Sequence, residues 1–100
     1  MAENVTYSRK IQRSVSVGAG ATTNVCPANE DRMSVIFFNN TAQVVALGVS
    51  GVTNTSGSTG GIPLSQNQSF TAYDNDDWFC NNPGAGAVDL RIIETVAGTG

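Results

Sequence analysis

Three aspartates, Asp74, Asp76 and Asp77, fall within four positions and lead directly into Trp78. Carboxylates this close can divide general-acid and general-base work, or supply oxygen ligands to calcium. A calcium loop also needs glycine-spaced ligands and a following bidentate glutamate, and neither is present here. The cluster therefore reads as an acidic surface turn. Gly57-Ser58-Thr59-Gly60-Gly61 has the glycines of a phosphate loop but not its lysine or its strand-to-helix setting. Cys26 and Cys80 are the two cysteines, and the chain contains no histidine. A Ser-His-Asp or Cys-His relay is thereby excluded, and two thiols fall short of the four ligands of a zinc site. No catalytic residue, metal ligand or cofactor is expected. Trp78 and Phe79 beside Tyr73 could offer a platform to a sugar or a base. Aromatic rings dominate burial in small domains, so a core or interface role is the first expectation for them.

The composition points the same way. One hundred residues make a single domain. Only 13% of them are charged, about half the usual share. A free soluble domain normally carries more charge, so a surface of amides and hydroxyls suits a protein packed against its own copies or a large partner. The net charge of -3 argues against nucleic-acid binding, which needs basic side chains facing phosphates. Arg9, Lys10 and Arg13 cluster near the start and are candidates for pairing with a partner's carboxylates. Residues 1–20 show no apolar segment behind a basic start, and no run approaches a membrane span. No membrane contact is expected, and synthesis in a cytoplasm would leave Cys26 and Cys80 as reduced thiols. A disulfide formed later is the alternative.

The elements that must position these residues are strands. Residues 1–10 read as an extended arm. Ile11–Val17 alternates apolar and polar residues, Ala21–Cys26 is a short strand stopped by Pro27, and Arg32–Asn39 is strongly apolar on both sides. Asn39-Asn40-Thr41 reads as a turn that returns Gln43–Val49 as a hairpin partner. Residues 50–61 are nearly all Gly, Ser, Thr and Asn. They read as a long exposed loop with Val52 as its one apolar anchor. Ile62–Leu64, Ser69–Tyr73, Trp78–Cys80 and Ala87–Val96 complete the set. The pattern predicts an all-β, antiparallel β-sandwich of seven to eight strands, jelly-roll-like, over residues 11–97. Met33, Val35, Phe37, Val88, Leu90 and Ile92 are expected to form the core. Tyr7, Phe38, Tyr73 and Trp78 are candidate interface aromatics.

The runs NEDRMSVIFFNNTAQVVALGVS, GGIPLSQNQSF, DDWFC and GAVDLRIIE resemble a pattern found in small structural proteins of tailed-phage virions. In these proteins an arginine opens an apolar strand that ends in Asn-Asn. A glycine-led turn, an aromatic strand and a strand ending in Ile-Glu follow. The resemblance covers roughly residues 30–95 and is to capsid decoration, or cement, proteins and the base domains of head fibres. It implies a structural protein without chemistry, made in the host cytoplasm. It further implies binding to the major capsid protein on the virion exterior, as a homo-oligomer, most often a trimer. A carbohydrate-binding or adhesive module on a virion fibre is the alternative.

Overall fold

The computed structural model describes residues 6–55 and 57–99, the side chains of Thr6, Tyr7 and Thr99 excepted. Eight strands follow in chain order: β1 (Thr6–Val17), β2 (Thr22–Cys26), β3 (Arg32–Asn39), β4 (Val45–Gly48), β5 (Ile62–Leu64), β6 (Ser69–Ala72), β7 (Trp78–Asn81) and β8 (Val88–Thr99). They form two antiparallel four-stranded sheets, ordered β1-β8-β3-β6 and β2-β7-β4-β5. The chain moves from one sheet to the other at nearly every connection, and each sheet pairs strands distant in sequence. This is the double-sheet arrangement of a jelly roll. No helix among the described residues is long and apolar enough to cross a membrane.

Alternation sets which side chains meet between the sheets. Val35 and Phe37 of β3 face inward with Val88, Leu90 and Ile92 of β8, and Val45, Leu47 and Leu64 oppose them from the second sheet. Phe37 is fully buried, with its ring centroid 5.6 Å from that of Trp78. The Phe70 ring centroid lies at the same distance from the indole. Trp78 is thus partly a core residue, as aromatic burial in a small domain requires.

Three expectations need correction. Met33 is not in the core. It is 52% exposed, and Arg32 is buried at 5%. The register between β3 and β8 shifts between Arg32 and Ser34. The extra residue is a β-bulge, which reverses the inward-outward alternation on one side of it. Gln43–Val49 does not return as a hairpin partner of β3. β4 belongs to the other sheet, and β3 pairs with β8 and β6. The Asn39 side chain, fully buried, organises that crossing. Its Nδ2 donates to the Gln43 and Leu64 carbonyls, and its Oδ1 accepts from the Thr41 amide and hydroxyl. Lastly, residues 6–10 of the expected arm are the first part of β1, paired from Thr6↔Thr99 to Lys10↔Thr95. Residues 1–5 of that arm lie outside the described residues.

The 50–61 loop is more structured than its composition suggests. Val52 is its anchor, 3% exposed. The Thr53 amide donates to the Thr59 carbonyl, the Gly61 amide donates to the Thr53 carbonyl, and the Val52 amide donates to Val49. A Cβ at Gly61 would sit 2.5 Å from both the Leu47 carbonyl oxygen and the Val52 side chain. Only glycine lets the loop lie this close to β4. The loop folds back over the second sheet, where Val52 packs beside Gly48, and Ala46 is fully buried.

Candidate functional site

Two surface regions and one buried cluster contain the chemically distinctive residues. The first region is the outer face of the β1-β8-β3-β6 sheet. Ile36 of β3 is directly opposite Ile93 of β8, and Phe38 is opposite Arg91. These side chains point away from the core because they alternate with Val35, Phe37 and Ile92. Ile36 is 40% exposed, and Phe38 and Ile93 are half-buried. The apolar stripe is flanked by Gln12 and Ser14 on β1 and by Ser69 and Thr71 on β6. A depression of about 460 Å³ lies among Gln12, Ser14, Phe38, Arg91 and Ile93. The two sheets differ in this respect. The outer face of the second sheet carries its own loop at Val52, whereas no described segment crosses the stripe on the first.

The second region is a cleft of about 430 Å³ at one end of the sandwich, between the β4–β5 loop and the β6–β7 turn. Leu47, Val49, Val52, Ile62 and Trp78 give it apolar surface, while Ser58, Thr59, Asp74, Asp76 and Asp77 supply polar groups. The aspartates are largely occupied in building the turn. Asp74 Oδ1 accepts the indole N–H of Trp78 at 2.9 Å. Asp77 Oδ1 accepts from the Ala28 amide and the Asn24 side chain. The Ala28 bond, helped by Asn24, lowers the Asp77 pKa below the ordinary value of 3.8. Among the described residues no three acidic, cysteine or histidine side chains converge to hold a metal ion.

Beneath that turn lies the buried cluster. The Arg32 guanidinium donates Nε–H to Glu94 Oε2 at 2.9 Å, and its other nitrogens donate to the Pro27 and Asp76 carbonyls. Asp74 Oδ1 stands 3.8 Å away. Arg13 donates to the other Glu94 oxygen at 2.6 Å. Burial alone would raise the Glu94 carboxyl's pKa, but the hydrogen bonds and charges of Arg32 and Arg13 outweigh it and hold the group below 4.5.

The candidate residues read from the sequence are therefore dispersed. Arg13 shares a side of β1 with Val15 and Val17 and is half-buried, paired with Glu94. Arg9 and Lys10 are exposed, and Lys10 donates to Thr95 Oγ1. The Tyr7 side chain lies outside the described residues. Tyr73 is 82% exposed. Cys26 and Cys80 are buried free thiols, pushed by desolvation up to about 11 and about 12. Sequence reasoning missed Arg32 and Glu94 as a pair. The signal for Glu94 was a charge in phase with Val88, Leu90 and Ile92, where period-two alternation calls for burial; Arg32 carried none, because the bulge reverses its phase.

No family model matches the chain, and no curated protein does. Among solved structures it is similar to the Cupin_2 domain of an XRE family transcriptional regulator from Enterobacter cloacae, with a TM-score of 0.61 at 8% identity. That match covers 89% of this chain and 94% of the other. It is also similar to a structure described as Bacillus endospore appendages that form a novel family of disulfide-linked pili. There the TM-score is 0.59 at 16% identity, over 98% of this chain and 91% of that one. Identities this low establish a shared β-sandwich fold alone.

Proposed function

We propose that the chain is a structural component which docks through the outer face of the β1-β8-β3-β6 sheet onto a protein lattice. The lattice this reading favours is the outside of a phage capsid, with the major capsid protein as partner and a homotrimer as the working unit. The carrying observation is the open stripe of Ile36, Phe38 and Ile93. An apolar centre bordered by amide and hydroxyl side chains matches the anatomy of a protein–protein interface. Arg91 beside Phe38 adds a cation for an acidic surface. Low overall charge fits permanent assembly. The spore appendage offers an instance of a like fold serving in a filament. That appendage is disulfide-linked, a route poorly suited to the buried Cys26 and Cys80.

The function follows from mass action. A protein that binds only the mature lattice raises the stability of that lattice, and several contacts per oligomer add avidity. Comparing purified capsids with and without the protein under heating tests the reading. Decorated particles are expected to withstand higher temperature. Equal robustness of stripped particles would overturn it.

A second reading, a carbohydrate-binding module, is favoured by one observation, the cleft beside Trp78.

A further inference from the structure

We propose that the cleft between the β4–β5 loop and the β6–β7 turn binds a neutral pyranose unit of a glycan. It is separate from the sheet face assigned to docking, so either assignment can fail without the other. Its volume of about 430 Å³ lies within the range of small-ligand sites, roughly 300–1,000 Å³.

The walls are set before any ligand arrives. A Cβ at Gly48 would come within 2.8 Å of the Val52 side chain, and Gly61 is as closely confined. The loop backbone is therefore held against β4 by contacts that only glycine permits. On the facing wall, Trp78 is fixed by its N–H bond to Asp74 and by tilted contacts with Phe37 and Phe70. A pre-shaped site spares the ligand the ordering entropy that weakens binding to mobile loops.

The lining selects the chemistry. It contains three carboxylates and no basic side chain. A phosphate, a nucleotide or a sugar acid would meet like charge. A cation gains less than the count suggests. Asp74 lies beside the buried Arg32 and bonds Trp78, and Asp77 bonds Asn24 and Ala28. The positions of the acidic groups do not converge on a metal. What remains is a set of carboxylate acceptors, Asp74 and Asp77 held by their own bonds, beside an apolar surface of Val49, Ile62 and Trp78. A pyranose matches both parts. Its C–H face packs on apolar and aromatic surface, and its hydroxyls donate to carboxylates in charge-assisted hydrogen bonds.

The test is amide and indole NMR of the full chain, titrated with the methyl glycosides of glucose, galactose, mannose and N-acetylglucosamine, with glucuronate and with putrescine. At least one neutral glycoside should give saturable shifts at Gly48, Gly61 and the Trp78 indole, with a midpoint of about 1–10 mM. Ser58→Trp at the exposed rim should abolish those shifts, and Asp76→Asn should weaken binding several-fold, with both melting temperatures unchanged. If Ser58→Trp fails to fold, Asp76→Asn alone decides. Absence of shifts with every neutral glycoside at about 100 mM, tighter binding of glucuronate or putrescine, or unaltered sugar binding by Asp76→Asn would each overturn the proposal.

Discussion

Arg32 and Glu94 are both buried, and each depends on the other. Two ions removed from water are tolerated only when their hydrogen-bonding groups are met. Here four residues, Glu94, Asp74, Asp76 and Pro27, surround the guanidinium, and both carboxylate oxygens take an arginine N–H. Removing one partner would strand the other, so Arg32→Ala should destabilise by roughly 3–5 kcal/mol. The pH dependence has a definite sign. Glu94 has a folded pKa below 4.5, so its stabilisation is complete above that value and is lost as pH falls through the lower folded value. Glu94→Gln should be less stable at neutral pH and should show a shallower loss on acidification, as chemical denaturation at several pH values would measure. Equal slopes would contradict the ion-pair account. Phe37→Ala should cost about 3–5 kcal/mol, as large aromatic truncations do, whereas Met33→Ala should stay within about 0.5 kcal/mol. That contrast is the clearest local check on the bulge. Strict alternation placed Val35, Phe37, Leu90 and Ile92 correctly. It failed at Met33 because one inserted residue reverses every side chain beyond it, and a bulge leaves no mark in apolar periodicity.

At the scale of elements, strand positions were legible and partners were not. The expected strands at 32–39, 62–64 and 69–73 differ from the observed ones by a residue at most. The error lay in joining β3 to β4. An Asn-rich turn after an apolar strand suits a hairpin, but at this corner the first asparagine is a bracket between sheets. Asn82 has the same role after β7, donating to the carbonyls of Val17, Gly18 and Gly86. A buried amide that satisfies several backbone groups is not recognisable from residue type. Asn39→Ala would leave the Leu64 and Gln43 carbonyls without that donor. It should destabilise by about 1–3 kcal/mol, measurable by thermal or urea unfolding. The glycine-rich loop is exposed and anchored by Val52, as its sequence suggests, but its ordered shape is not legible there. Its composition supplies little apolar burial, yet one valine, a few backbone bonds and the close approach at Gly48 and Gly61 are enough to shape it. The cleft was therefore hidden from the sequence, although Trp78 and its aspartates were not.

The whole molecule is a sandwich with unlike outer faces. One sheet carries the β4–β5 loop at Val52. The other presents Ile36, Phe38 and Ile93 in a field of polar side chains. Apolar residues on both sides of β3 were visible in the sequence, and the fold assigns one set to the core and the other to the outside. The basic residues near the start were less informative, because a count of charges does not show that Arg13 pairs with Glu94. The central claim is that the exposed stripe is the docking face. Cosedimentation of an Ile36→Asp, Phe38→Asp double variant with expanded capsids tests it most directly, alongside its melting temperature. Binding should fall by about tenfold or more, equivalent to roughly 1.4 kcal/mol per decade, while the fold stays as stable as the unmodified chain. Undiminished binding by a folded variant would contradict the account.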